Sequence, residues 1–422
     1  LFKEQVHSLT QDGMRVIAFA KKGVSKEQQK IDGEVMKDNF EFLGLQGMVD
    51  PPRLEVRDAI KACQSAGIRI KMITGDHPKT AKAIALKLGI IHDTDEALTG
   101  PEIDSMSETQ LHERIDNCHV FARVSPKHKL TIVESLQTRG KIVAMTGDGV
   151  NDAPALKRAN IGVAMGIAGT AVAKESADMI LADDNFESIK AAVEEGRRVY
   201  DNLVKSLAFI LPTSVAQALL IFVSVLFFPA TDDAVLRPMQ PVQVLWVNLV
   251  VAITLALPLA FEALEPDVMK RPPRRPSTPI LSGLIIFRIL FVAALMAGGT
   301  VGLFLWEYNF EISRGTEQAM AIAEGQTMAV TAIVLFQVFY LLNCRSLNHS
   351  LRDIGFFSNR MVLLGIGLIL LAQLVFVYSS KMNEWFHSTP LRLDAWLVSL
   401  AVALTVFPLV AFEKWLRKNY FD

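Results

Sequence analysis

From about residue 203 onward the sequence is dominated by long apolar runs, and these restrict the fold more than any other feature. A bilayer core offers no water to the backbone, so a chain crosses it as helices of about 20 mostly apolar residues. Six such stretches occur, at about 203–228, 240–262, 281–305, 327–343, 361–380 and 394–412. Hydrophobic content of 51% and mean hydropathy of +0.30 are high for a soluble chain, but the apolarity is uneven. Residues 1–200 mix charged and apolar positions as a globular domain does, so two or more domains are expected in 422 residues. Pro212 and Pro258 lie within spans, where freed carbonyls either line a cavity or simply accompany a kink.

Charge in the loops orients the spans. Lys270, Arg271, Arg274 and Arg275 lie between the second and third, Arg345, Arg352 and Arg360 between the fourth and fifth, and Lys414, Arg417 and Lys418 after the sixth. Glu307, Glu311, Glu317 and Glu324 crowd the connection between the third and fourth, against Arg314. The basic loops share a side with the globular half, and that side is expected to be cytoplasmic.

In the globular half, short apolar runs alternate with helical segments, the pattern of βα units around a parallel sheet. Arg69–Ile73, Val120–Val124, Lys141–Met145, Ile161–Ala164 and Met179–Leu181 read as strands. Pro78–Leu88 reads as a helix, and Ser125 and Pro126 as the start of another. Thr74, Lys129 and Asp148 then fall near the C-terminal ends of strands or the helix starts after them, the edge where open parallel sheets hold their sites. The net charge of −1 and the lack of a basic face argue against a nucleic-acid partner. Cys63, Cys118 and Cys344 are scattered and point to neither a disulfide framework nor a thiolate metal site.

Thr146-Gly147-Asp148-Gly149-Val150-Asn151-Asp152-Ala153-Pro154-Ala155-Leu156 carries the chemistry of this half. An apolar run, Ile142–Met145, delivers Asp148 to a strand end, and the flanking glycines let backbone approach a phosphate. Asp152 and Pro154 suit a helix start, whose free N–H groups also face the anion. Two carboxylates about one turn apart can share one Mg²⁺, which takes one or two acids plus waters and phosphate oxygens. The plainer alternative is a Gly/Asp-rich βα turn.

This string resembles the hinge motif of P-type ATPases, ion pumps with a haloacid-dehalogenase-like phosphorylation domain. Further matches follow in the family's order. Asp50-Pro51-Pro52-Arg53 resembles its DPPR segment, and Met72-Ile73-Thr74-Gly75-Asp76 its (M/V)-(I/L)-T-G-D motif. Phe121-Ala122-Arg123-Val124-Ser125-Pro126-Lys127-His128-Lys129 resembles the segment with its phosphate-binding lysine. Pro266–Arg274 resembles the PDIM-x-RPPR loop of the calcium- and sodium-pump branch, and Gly13–Ala20 a strand with a nucleotide-contacting arginine. The phosphorylated DKTGT segment and the actuator TGE do not occur, so the resemblance implies the C-terminal part of a pump, with the remaining N-terminal part as its partner.

The resemblance implies an α/β haloacid-dehalogenase-like, Rossmann-like phosphorylation domain followed by an all-α domain of six transmembrane helices. Residues 1–40 would end a nucleotide-binding domain, 41–200 belong to the phosphorylation domain, and 201–422 form the membrane domain. ATP and Mg²⁺ are the implied cofactors, a transported cation and the lipid bilayer the implied partners, and a bacterial inner membrane the implied location. Asp148 is expected to ligate Mg²⁺ with Asp152 in support. Thr74 with Gly75, and Lys129, would hold phosphoryl oxygens, and Asn151 would donate an amide hydrogen bond. Arg123 belongs to the lysine segment. Asp76 either contacts substrate or caps its helix, and Arg15 either contacts ATP phosphate or is a solvated strand-end arginine.

The family's ion sites fall in the first, second and fourth spans, where this sequence places Ser214, Gln217, Asn248 and Gln337, all neutral. Glu262 is the remaining acid, read either as an ion ligand or as an interfacial residue facing water. Ca²⁺ is the expected cargo, with Na⁺, K⁺ or H⁺ as the alternative. A membrane-anchored phosphatase would need an Asp-x-Asp nucleophile before the Thr74 strand, and none occurs there. An inactive or regulatory membrane-anchored protein of the same superfamily is the remaining reading.

Overall fold

The computed structural model describes residues 2–11, 14–24, 37, 39–48, 55–228 and 236–420. Asp50-Pro51-Pro52-Arg53, most of the polar 21–38 segment and the side chain of Arg15 lie outside the described residues. Two compact units emerge, Leu1–Glu194 with Met269–Pro273, and Glu195–Val268 with Arg274–Asp422.

In the first unit Arg15–Lys21 pairs antiparallel with Glu41–Met48. Two parallel three-stranded sheets follow. In one, Val120–Ala122 lies between Met72–Ile73 and Ala97–Thr99; in the other, Ile161–Met165 lies between Ala144–Gly147 and Met179–Leu181. Covered on both faces, a central parallel strand is apolar throughout, and Val120, Phe121 and Ala122 are all fully buried. All five expected strands exist: Met179–Leu181 has the expected bounds, Ile161–Ala164 gains Met165, Val120–Val124 contracts to Val120–Ala122, Arg69–Ile73 contracts to Met72–Ile73, and Lys141–Met145 moves to Ala144–Gly147. Lys71 directly precedes the shortened strand Met72–Ile73. Its Nζ turns aside to donate to the Ile115 and Asp116 carbonyls, at 2.8 and 2.9 Å, at the end of the Glu108–Asn117 helix. The helix Pro78–Leu88 has the expected bounds, with Pro at its first turn.

Among the described residues six helices are long and apolar enough to cross a membrane: Phe186–Phe227, which runs from the first unit into the second, and, within the second unit, Pro241–Phe261, Gly283–Ser313, Gln318–Cys344, Arg360–Tyr378 and Leu393–Arg417. The first begins well before the apolar stretch that announced it, because its opening turns are polar and the apolar run starts near residue 203. The fourth is the axis of the bundle. Thr327 to Phe336 is buried without interruption, which its small and hydroxyl residues permit by letting neighbouring helices approach. On the second span, Leu245, Leu249, Ile253 and Leu257 recur every four residues and stay exposed, the stripe expected of a lipid-facing side.

The second span is not a uniform helix. It is α-helical over Pro241–Val251, widens to a π-helical turn over Ala252–Ala256 and tightens to a 3₁₀ turn over Leu257–Phe261. Pro258 has no N–H to continue the ladder, so the break has a chemical cause. The fifth span fits against it. A Cβ on Gly365 would stand 1.8 Å from the Thr254 carbonyl oxygen, so only glycine allows this approach. Gly365→Ala is expected to destabilise the bundle by about 1–3 kcal/mol, read as a lower unfolding midpoint in detergent. An unchanged midpoint would mean the two helices do not meet here.

Candidate functional site

The strand Met72–Ile73 ends at Thr74, whose N–H donates to the Phe121 carbonyl at 2.9 Å. The Thr74 hydroxyl donates to Asp76 Oδ2 at 2.9 Å and accepts from the Asp76 N–H at 3.1 Å. Asp76 thus closes the turn rather than capping the next helix. The N-cap is His77, whose Nδ1 accepts from the Lys79 N–H at 3.3 Å, and the capping alternative for Asp76 is corrected accordingly. Burial, then the nearby Arg123 and Lys79 charges, lower the pKa of His77 and leave it a neutral acceptor. Gly75, Asp76 and Arg123 are exposed at this edge. Arg123 takes a left-handed backbone, φ +50°, and its N–H donates to the Asp76 carbonyl at 3.1 Å. Such conformations in a non-glycine residue gather at functional sites.

The second group forms at the end of Ala144–Gly147. Asp152 closes a 3₁₀ turn, Val150–Asp152, before the short helix Ala153–Arg158. Its Oδ2 accepts from the N–H groups of Asp148 and Gly149 at 3.3 and 3.2 Å, and its Oδ1 forms an ion pair with Lys129 Nζ. The carboxylate is 5% exposed and committed on both oxygens. A Cβ on Gly147 would meet Asp152 Cβ at 2.6 Å, which explains the glycine before Asp148. Asp148 is exposed and its carboxylate makes no hydrogen bond or ion pair among the described residues. Asn151 is exposed beside it.

The Lys129–Asp152 pair joins the two sheets at their C-terminal edge, since Lys129 lies on the Pro126–Thr138 helix after Val120–Ala122. The edge carries one free carboxylate, one lysine, a threonine and several backbone N–H groups. That set can bind a phosphoryl group and the hard cation accompanying it. Asp148 offers both carboxylate oxygens, so the donors fit a Mg²⁺ held mainly by phosphate and water.

The membrane candidates separate. Ser214 and Asn248 are exposed on the unit, whereas Gln217 and Gln337 are buried. Among the described residues Gln217 Nε2 and Gln337 Oε1 have no hydrogen-bond partner, and no hydrogen bond joins any two of the five candidates. Buried amide atoms without partners are uncommon, and a received ion or water is one explanation for each.

Glu262 neither faces water nor stands free. It is 2% exposed and accepts from Arg345 Nε at 2.8 Å and from Asn359 Nδ2 at 3.0 Å. Its carbonyl accepts from Asn202 Nδ2 at 2.9 Å and Arg198 at 3.0 Å, so the first, second and fifth spans are tied through one residue. Arg345 is fully buried and also donates to the Phe356 carbonyl and to Ser358, at 2.6 Å each. The sequence places Arg345 as a charge of the connection between the fourth and fifth spans, and the fold buries it there. Nothing in the spacing of residues 262 and 345 foretells the pairing; the sole signal is an arginine placed directly at the end of an apolar run.

Comparison with known proteins agrees with both units. Residues 4–160 match the haloacid dehalogenase-like hydrolase family, and residues 236–416 match the family described as cation transporting ATPase, C-terminus. The chain is 43% identical over 409 residues to the "Probable cation-transporting ATPase F" of Mycobacterium bovis, covering 96% of this chain and 44% of that protein. It is 43% identical over 415 residues to the "Cation-transporting ATPase pma1" of Synechocystis, again 96% and 44%. It is 40% identical over 427 residues to the "Calcium-transporting ATPase 1" of Bacillus cereus, covering 99% and 47%. The chain therefore spans slightly under half the length of these relatives.

Proposed function

The chain belongs to the P-type cation-transporting ATPases, multi-pass membrane proteins, and from this we propose that it serves in ATP-driven cation pumping through an aspartyl phosphate. The nucleophilic aspartate is supplied by a DKTGT segment outside this sequence. The observation that carries the reading is the Lys129–Asp152 link, which leaves Asp148 free at the sheet edge while its own N–H is fixed.

In this reading residues 1–40 close the nucleotide-binding domain, with Arg15 toward ATP, and 41–200 complete the phosphorylation domain on the cytoplasmic side. Asp148 holds Mg²⁺, which when bound neutralises charge on the phosphoryl oxygens. Thr74 and the N–H of Gly75 bind phosphoryl oxygens, Lys129 supplies a positive charge beside them, and Asn151 donates from the rim. Asp152 is a positioning residue, since both of its oxygens are engaged in shaping the loop. Preorganised donors of this kind are the main source of acceleration in phosphoryl transfer.

Ca²⁺ is the proposed cargo, as in the relatives named calcium-transporting ATPases. One observation favours a monovalent cation instead. With Glu262 held by Arg345, the remaining candidates Ser214, Gln217, Asn248 and Gln337 offer oxygen dipoles without charge. A Ca²⁺ site then takes its carboxylates from outside this sequence. ATPase activity of the pump in lipid, titrated separately with Ca²⁺, Na⁺, K⁺ and H⁺, decides between them. Stimulation by micromolar Ca²⁺ (about 10⁻⁶ M) is expected; stimulation by Na⁺, K⁺ or H⁺ alone would replace the calcium reading by the monovalent one.

A further inference from the structure

At the end of the bundle opposite the basic loops, Glu307 and Glu311 on the third span meet Glu324 on the fourth. Each offers a carboxylate oxygen within 4.8 Å of the others. Glu307 and Glu311 are buried and Glu324 partly so. Arg392, just before the sixth span, lies 3.3 Å from Glu307 and 4.0 Å from Glu324, pairs closely with Glu311, and reaches Asp394 at 3.2 Å. Arg314 approaches Glu311 at 3.6 Å. Among the described residues four carboxylates thus face two guanidinium groups, an excess of two negative charges.

Hydrogen bonding does not resolve that excess. The Thr316 hydroxyl donates to Glu311 Oε2 at 2.7 Å. Glu307 is 0% exposed, its Oε1 accepts from Arg392, and its Oε2 has no partner among the described residues. A buried carboxylate oxygen without a donor calls for an explanation, and a bound cation supplies one. The donor set is all oxygen, with neither imidazole nor thiolate, which selects hard cations. Two oxygens that each lie about 2.3–2.6 Å from one ion stand no more than about 5 Å apart, and these meet that limit.

We propose that Glu307, Glu311 and Glu324 form a binding site for a hard divalent cation of the Ca²⁺ class at the membrane face opposite the basic loops. Arg392 is the counter-charge that holds the carboxylates together when no ion is bound. An entering dication neutralises the excess of two charges, and Arg392 keeps Asp394 and the Phe310 ring, 4.7 Å away, as its other partners. The site is separate from the candidates for transport: Glu324 lies thirteen residues before Gln337 on the same helix, about 20 Å along its axis.

The test adds Ca²⁺ alone to the purified protein in detergent and follows its thermal unfolding midpoint. Tb³⁺ luminescence excited through Trp306, the neighbour of Glu307, gives a second readout that does not depend on stability. The wild type is expected to respond saturably with half-effect at about 10⁻⁴–10⁻³ M Ca²⁺. Glu324→Gln, at the least buried member, is expected to weaken the response about tenfold or more and to abolish the Trp306-dependent Tb³⁺ signal. Arg392→Gln is expected to strengthen Ca²⁺ binding severalfold. A wild type without saturable response, or Glu324→Gln and Glu311→Gln variants that respond as the wild type does, would overturn the proposal. Weaker binding in Arg392→Gln with Tb³⁺ luminescence equally lost would reduce the cluster to a structural ion-pair network and overturn it as well.

Discussion

Arg345→Ala is expected to destabilise the membrane unit by about 3–5 kcal/mol, the range for stripping one partner from a buried ion pair. Arg345 is 0% exposed, so neither water nor salt takes over its role toward Glu262. The loss is more than one pair. The same guanidinium also holds the Gly355 and Phe356 carbonyls and Ser358, and Glu262 in turn receives Asn359 at the start of the fifth span. Glu262→Gln leaves the converse defect, a buried cation facing a neutral amide, and is expected to behave similarly. Replacing both by methionine is expected to recover much of the loss, because two apolar side chains need no partner. The fraction remaining monodisperse after heating in detergent checks all three variants. If Arg345→Ala matched the wild type, the pair would be incidental to the packing of the second span.

Asp148→Asn is expected to lower ATP turnover at least about 10²–10³-fold while leaving the fold intact. The asymmetry follows from geometry. The Asp148 side chain has no protein partner among the described residues and is exposed, so its charge is available to chemistry and absent from the scaffold. Asp152→Asn should show the opposite balance. It removes the charge that Lys129 faces and weakens acceptance from two backbone N–H groups, a loss of about 1–3 kcal/mol. ATP turnover and unfolding midpoint measured on one preparation of each variant separate the two roles. Equal loss of stability in Asp148→Asn would place that carboxylate in the scaffold instead.

How far the sequence could be read depended on how local each cause was. The Pro78–Leu88 helix was legible to the residue because proline marks its start and apolar periodicity its body. The hinge turn was legible because Gly147, Asp148 and Asp152 interact within five residues of one another. The strand Ala97–Thr99 was not anticipated. Three residues are too few to show alternation, and its stability comes from Val120–Ala122, more than twenty residues away. The spans announced themselves by apolarity, yet the unwinding at Ala252–Phe261 depended on how Pro258 met Gly365 in another helix. Glu262 shows the limit most clearly. An acid near the end of an apolar run has the same appearance whether it binds an ion, faces water or pairs with an arginine. Only the fold brought Arg345 to it across 83 positions.

The Asp148 and Lys129 assignments and the six helices meet in one claim, that ATP hydrolysis at the sheet edge drives a cation across the membrane. ATP-dependent uptake of radiolabelled Ca²⁺ into sealed vesicles carrying the pump, wild type beside Asp148→Asn, tests it most directly. Uptake that requires ATP and disappears in Asp148→Asn, with the variant still folded in the membrane, is the predicted result. ATP-dependent uptake that persists undiminished in Asp148→Asn would contradict the account.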